Sequence, residues 1–201
     1  MNIEFKISKK PVLYDKAMRF LEKKVKNVKN GGRELIWILE HPTIFTGGIR
    51  FNNNEILDKS ILVKRTNRGG KITLHNPGQK IVYFVINLNK RKKNIRNLVR
   101  QIENIIIEFL KIYGITSRSD RKNIGIWVKD KKIAAIGIRV SRWIAYHGFS
   151  ININNDLSQY KKIIPCGLDN KKITSIKSQG NNFKNIEKNL KKVILKNMSK
   201  I

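Results

Sequence analysis

One cysteine, Cys166, occurs in 201 residues. A single thiol excludes an internal disulfide framework and a multi-cysteine zinc site, and it suits a reducing, cytoplasmic setting. Long apolar runs are missing as well. No stretch approaches the roughly 18 uninterrupted apolar residues of a membrane-spanning helix, and the opening Met1-Asn2-Ile3-Glu4-Phe5-Lys6 lacks the pattern of a secretory signal. The expectation is therefore a cytoplasmic protein without membrane partners. Acidic residues are scarce, 14 against 43 basic ones, for a net charge of +29. That imbalance suits nucleic acid or an acidic protein partner. A competing source is compositional: 31 Lys, 33 Ile and 23 Asn, all with A/T-rich codons, make up 87 of the 201 residues, and only 12 cations are Arg. Part of the charge then reads as lysine drift on a solvated surface.

What is present suffices for one domain spanning residues 1–201, since 40% of the residues are hydrophobic. Leu13, Ala17, Leu21, Val25 and Val28 recur at helical spacing before Gly31-Gly32. Ile95, Leu98, Val99, Ile102, Ile105, Ile106, Phe109 and Leu110 mark a second amphipathic helix ending near Gly114, and Phe183 to Ile194 a third. Glu34–Leu39 and Ile81–Ile86 read as buried strands. Ile124–Val128 and Ile133–Ile138 flank a turn-like Lys129-Asp130-Lys131-Lys132 and suggest a hairpin, with a further strand from Phe149 to Ile153. Regular βαβ alternation is absent, so the fold class is α/β in the α+β sense: a mixed, largely antiparallel sheet flanked by helices.

Against the Lys/Ile/Asn background the rare residue types cluster between residues 41 and 167. Glu40-His41-Pro42-Thr43-Ile44-Phe45-Thr46-Gly47-Gly48 reads as a loop leaving the sheet, structural or ligand-facing. Arg68-Gly69-Gly70-Lys71-Ile72-Thr73-Leu74-His75 combines paired glycines with two cations, suited to an anion, then a short strand presenting His75. It is not a phosphate-binding P-loop: residue 65 is Arg rather than Gly, and Ile72 follows the lysine. A lone histidine in such a place is more often structural than ligand-facing. Lys132-Ile133-Ala134-Ala135-Ile136-Gly137 opens a strand whose small residues leave room beside the sheet for a chain. Pro165-Cys166-Gly167 sets the cysteine at a sharp turn, although a packed core cysteine is the plainer alternative. A thiolate is the attacking form of cysteine, and a lysine beside it can take the proton and hold the anion. Lys132 and Cys166 lie 34 positions apart, so only the tertiary fold joins them.

These segments together, in order over residues 35–176, resemble the octanoyltransferases of lipoate biosynthesis. The resemblance is carried by Glu40-His41-Pro42 with Thr46 and Gly48, by Arg68-Gly69-Gly70 through His75 with Pro77-Gly78-Gln79, and by Gly125-Ile126-Trp127-Val128. It continues through Lys132 to Gly137, His147-Gly148-Phe149 with Asn152, Pro165-Cys166-Gly167 and Thr174-Ser175. It implies the catalytic fold of biotin and lipoate protein ligases. It implies a dyad in which Cys166 carries an octanoyl thioester and Lys132 is base and thiolate partner. The acyl site would be lined by Arg68, Gly69, Gly70, Lys71, Ile72, Thr73, Leu74 and His75, by Ala135, Ile136 and Gly137, and by Gly148, Phe149 and Ser150. The implied donor is octanoyl-acyl carrier protein, bearing its acyl group on a phosphopantetheine arm. The implied acceptors are lipoyl domains of 2-oxoacid dehydrogenase complexes and the glycine cleavage H protein; no metal, no other cofactor and no nucleic acid is implied. Asn76 stands where the family usually has Gly and is expected to supply a left-handed turn residue in its place. An ATP-dependent lipoate or octanoate ligase, which shares the fold, and a basic nucleic-acid-binding module are the alternatives.

Overall fold

The computed structural model describes residues 3–165 and 173–198. Glu34-Leu35-Ile36-Trp37-Ile38-Leu39 forms strand β2, and all six residues are buried. A strand buried throughout must be covered on both faces. The main sheet meets that demand with seven strands in the order β1-β2-β6-β10-β9-β8-β7. Their spans are β1 Ile3–Ile7, β6 Gln79–Asn87, β7 Arg118–Ser119, β8 Ile126–Val128, β9 Lys131–Ser141 and β10 Ile144–Asn152. Every adjacent pairing is antiparallel except β1 with β2, which run parallel.

Alternation sorts the side chains of the central strands. Ile36, Ile38, Val82, Phe84 and Ile86 point to one face, where they meet Leu98, Ile102, Ile105, Ile106 and Phe109 of helix α2 (Ile95–Lys111). Leu190, Val193 and Ile194 of α3 (Ile186–Asn197) complete that layer. Leu35, Trp37, Leu39, Ile81, Tyr83 and Val85 point the other way, against Ala17, Leu21 and Val28 of α1 (Tyr14–Lys29). The helical periodicity in the sequence thus corresponds to three real helices, each burying its apolar stripe. Helix α2 starts where the Asn94 side chain accepts a hydrogen bond from the Asn97 amide at 2.9 Å, a side-chain cap.

A second, three-stranded sheet, in the order β4-β3-β5, sits beside α1 and was only partly legible in the sequence. It comprises β3 Ile44–Gly47, β4 Val63–Arg65 and β5 Ile72–His75. The segment expected as a loop, Glu40–Gly48, therefore contains a strand: β3 pairs antiparallel with β5 and parallel with β4. The hairpin turn is also tighter than expected. Strand β9 starts at Lys131, leaving Lys129-Asp130 as the connection, with Lys129 in the left-handed region at φ 54°. Asn76 does not adopt the left-handed backbone. The positive φ of that turn falls on Gly78, and the Asn76 side chain instead bridges the Asp156 carbonyl and the Asn155 amide. Among the described residues no helix is long and apolar enough to cross a membrane.

Phe109 is fully buried at the centre of the α2 face. Phe109→Ala is expected to cost about 3–5 kcal/mol of stability, measured as a lowered denaturant midpoint with an unchanged slope.

Candidate functional site

Between the main sheet and the small one runs a narrow slit. The β4–β5 loop supplies Arg68, Gly69, Gly70 and Lys71 to its wall, and β5 supplies Thr73 and His75. Ala135, Ile136 and Gly137 of β9 and Gly148, Phe149 and Ser150 of β10 form the opposite side. Register explains the convergence. Gly148 pairs with Gly137, Phe149 with Ile136 and Ser150 with Ala135, so the two small-residue segments lie side by side. Gly148 has a steric reason to be glycine: a Cβ there would sit 1.9 Å from the Val82 carbonyl oxygen. The free space is small, about 50 Å³.

Two residues expected on the wall are elsewhere. Ile72 and Leu74 are fully buried and pack with Phe45, Tyr160 and Ile163 beneath the small sheet. Side chains alternate along a strand, so if Thr73 and His75 face the slit, Ile72 and Leu74 face away. Three residues not singled out as lining residues do face it: Ile81, Tyr83 and His147. The two-sided burial of β6 hides Ile81 and Tyr83 from a sequence reading, whereas His147 lay within a quoted motif.

Neutral imidazoles line the slit at His75 and His147, with His41 fully buried behind His75. His41 Nδ1 lies 2.5 Å from the Val12 carbonyl, which can only accept, so Nδ1 carries the proton and Nε2 accepts from the Tyr83 hydroxyl at 2.9 Å. His75 Nδ1 donates to Gln79 Oε1 at 2.7 Å, because the Gln79 amide nitrogen is occupied in donating to Asn152 and Tyr160. His147, at φ 66°, donates from Nε2 to Asn67 Oδ1 at 2.6 Å. Its Nδ1 is buried without a hydrogen-bond partner among the described residues. Burial first, then the adjoining His41 ring, opposed by the Gln79 hydrogen bond, and then Arg68 lower His75 to a pKa of about 3; burial, then Arg68 and Arg139, lower His147 to about 3 as well. Burial also lowers His41, opposed by the Val12 carbonyl. Arg68 supplies fixed positive charge and is anchored at 2.6 Å to the Thr46 carbonyl.

Lys132 lies near one end of β9 and is buried. Its ammonium is 5.5 Å from the centre of the Trp127 ring, and the Trp127 indole donates to the Asn123 carbonyl at 3.0 Å. No carboxylate pairs with Lys132 among the described residues. The lysine stem crosses Gly125, which has φ 145°; a Cβ there would fall 2.2 Å from Lys132 Cε and 2.7 Å from the Ala134 carbonyl oxygen. The Lys132 carbonyl accepts from the Thr174 amide at 2.9 Å, and Ile173 forms a parallel bridge with Lys132.

Cys166 lies outside the described residues. The segments that flank it in the chain are tied to this region. Ile164 donates to the Glu55 carbonyl at 2.7 Å, and Ile163 bridges Ile56. The buried Glu55 side chain in turn accepts from the Ile72 amide at 3.1 Å and pairs with Lys71 at 2.9 Å. Thus the chain is held to the Lys71 loop shortly before residue 166 and to Lys132 shortly after residue 172. Glu55 had no motif to announce it beyond being one of few acids.

The architecture is shared with solved ligases. A protein of T. acidophilum described as a lipoate protein ligase with bound lipoic acid superposes with a TM-score of 0.82 at 13% identity, covering 99% of this chain and 87% of that one. A lipoate-protein ligase A bound with ATP gives 0.78 at 13% identity, covering 98% and 86%. A biotin protein ligase of Leishmania major gives 0.59 at 12%, covering 98% and 73%. At such identities the likeness defines the fold. The family follows from sequence: residues 14–198 match the lipoyl protein ligase A/B catalytic domain, and the chain belongs to that family. Among relatives, a protein of Wolbachia sp. subsp. Brugia malayi named octanoyltransferase is 42% identical over 89% of this chain and 90% of its own. Another so named, from Ehrlichia ruminantium (strain Gardel), is 44% identical over 90% of each.

Two measurements test this geometry. The unfolded chain takes up protons on its histidines near pH 6.5, whereas folded His75 and His147 resist protonation until about 3. Stability is therefore expected to be fully present above about pH 6.5 and to fall as pH drops from there towards 3, by up to about 1.4 kcal/mol per pH unit for each histidine; melting temperature against pH reads it. Gly125→Ala is expected to cost about 1–3 kcal/mol through its backbone conformation alone, and to change Trp127 fluorescence as Lys132 is displaced.

Proposed function

We infer that this protein is an octanoyltransferase of protein lipoylation, moving an octanoyl group from octanoyl-acyl carrier protein through a thioester on Cys166 to a lysine of lipoyl domains. The observation that carries the reading is the 42–44% identity to proteins named octanoyltransferase over nine-tenths of the chain. The geometry is compatible with it. A slit walled by Ala135, Gly137 and Gly148 on one side and the Arg68–Lys71 loop on the other suits an apolar chain ending in a polarised carbonyl. Its small volume means that an eight-carbon chain enters by moving lining side chains aside. Thr73, His75, Ile136, Phe149 and Ser150 complete the acyl-site assignment; Ile72 and Leu74 support it from behind. No cofactor beyond the donor's own arm is assigned, and the reaction belongs in the cytoplasm.

The first step, thioester exchange, conserves acyl activation; the second, amide formation, runs downhill. The Cys166 thiolate attacks the octanoyl carbonyl carbon, the bond to the carrier's pantetheine sulfur breaks, and the departing thiolate takes a proton from the Lys132 ammonium. The acceptor lysine amine then attacks the Cys166 thioester. A C–N bond forms, the C–S bond breaks, and the amine proton returns by way of Lys132. Trp127 and Gly125 aim Lys132, and the cation of Arg68 and backbone N–H groups of the glycine loop face the carbonyl oxygen as charge develops on it. Because the donor is already a thioester, no ATP is consumed.

Incubation with octanoyl-loaded carrier protein, without ATP, is expected to add one octanoyl mass that hydroxylamine removes and that Cys166→Ala abolishes. Lys132→Ala is expected to slow acylation by about 10²–10⁴-fold. An unaltered mass, with lipoyl-domain modification only when ATP is supplied, assigns the protein to the ligase reaction instead.

A further inference from the structure

We propose that an open groove along α2 is the docking surface for the acyl donor, a small acidic carrier protein. The proposal rests on the transfer reading above and adds the place where the donor sits. The groove has a volume of about 1520 Å³ and runs from Glu34 and Lys90 past the first turns of α2 to Ser119–Ile124.

Its charge is one-sided. Six basic side chains line it, against three acidic ones. Of the acids, Glu34 is held by Arg91 at 2.5 Å, and Asp120 accepts from the amides of Lys122 and Asn123 and lies 3.7 Å from Arg118, which leaves Glu103 as the one acid in the groove with no ion pair among the described residues. Lys90, Lys92, Arg96, Arg100 and Arg121 pair with no carboxylate among the described residues. Compositional drift does not account for this set. Across the chain only 12 of 43 cations are Arg, yet four of the six here are. Arg96 and Arg100 are one helical turn apart, so they repel, and Lys92 and Arg96 crowd the positive end of the α2 dipole, whose first turn carries no acid. A negatively charged partner removes both penalties.

Reach selects the donor over the acceptor. The groove lies on the face covered by α2, whereas the slit opens on the α1 side beside Tyr83. At the sheet edge groove residue Ile124 precedes Gly125, against which Lys132 packs. A lysine side chain is too short to act across that separation while its domain sits in the groove. A carrier with a long flexible arm can bind there and bring its thioester beside Lys132, within reach of the reacting thiol.

The test is the full-length triple variant Arg96→Glu, Arg100→Glu, Arg121→Glu, assayed with octanoyl-acyl carrier protein and with octanoyl-pantetheine as donors to one lipoyl domain. KM for the carrier is expected to rise about tenfold or more, with the octanoyl-pantetheine rate and the lipoyl-domain KM unchanged. That unchanged rate also reports intact folding. Equal carrier KM values overturn the proposal. So does a rise confined to the lipoyl-domain KM, or loss of oligonucleotide retention with carrier KM unchanged, which assigns the groove to nucleic acid. If the unaltered protein transfers from neither donor, the transfer reading itself fails and takes the proposal with it.

Discussion

Strands β2 and β6 must be covered on both faces, and the rest of the molecule follows from that demand. Helices α2 and α3 cover one face. Helix α1 is a single helix and covers only part of the other, so the small sheet β4-β3-β5 shields what is left. Two surfaces that twist independently do not mate perfectly, and the seam between them is the slit. The candidate site is thus a by-product of how the sheet is covered, with its walls taken from both layers.

Polar groups trapped in the seam need partners, and the fold provides them locally. Gln79 alone serves His75, Asn152, Tyr160 and the Leu74 carbonyl. It joins the small sheet to β10 through hydrogen bonds that water cannot replace at that depth. Glu55 does comparable work at the other end, linking Lys71, Ile72 and Ile164. The loops that wall the slit are held by such buried polar contacts, which leaves their outward surfaces available.

Much of this was legible in the sequence because periodicity reports burial. The three helices, β2 and the β8–β9 hairpin declared themselves through spacing, and most of the slit's walls through unusual residue types in a Lys/Ile/Asn background. The misses have separate physical causes. Strand β3 is four residues long and hidden between His-Pro and Gly-Gly; β1 pairs in parallel across an intervening helix, a contact of long range that no local pattern encodes. Ile72 and Leu74 are inseparable from Thr73 and His75 as a run of sequence, whereas a strand divides such a run between two faces. Tyr83 sits in a strand buried on both sides, where nothing distinguishes a core aromatic from a lining one.

The three imidazoles have a consequence for kinetics. Each is neutral with its proton fixed on a nitrogen that already has an acceptor. The walls therefore neither gain nor lose protons around neutrality. An inflection in a rate profile there reports the reacting groups themselves, so the slit serves as a silent background against which nucleophile and base can be titrated.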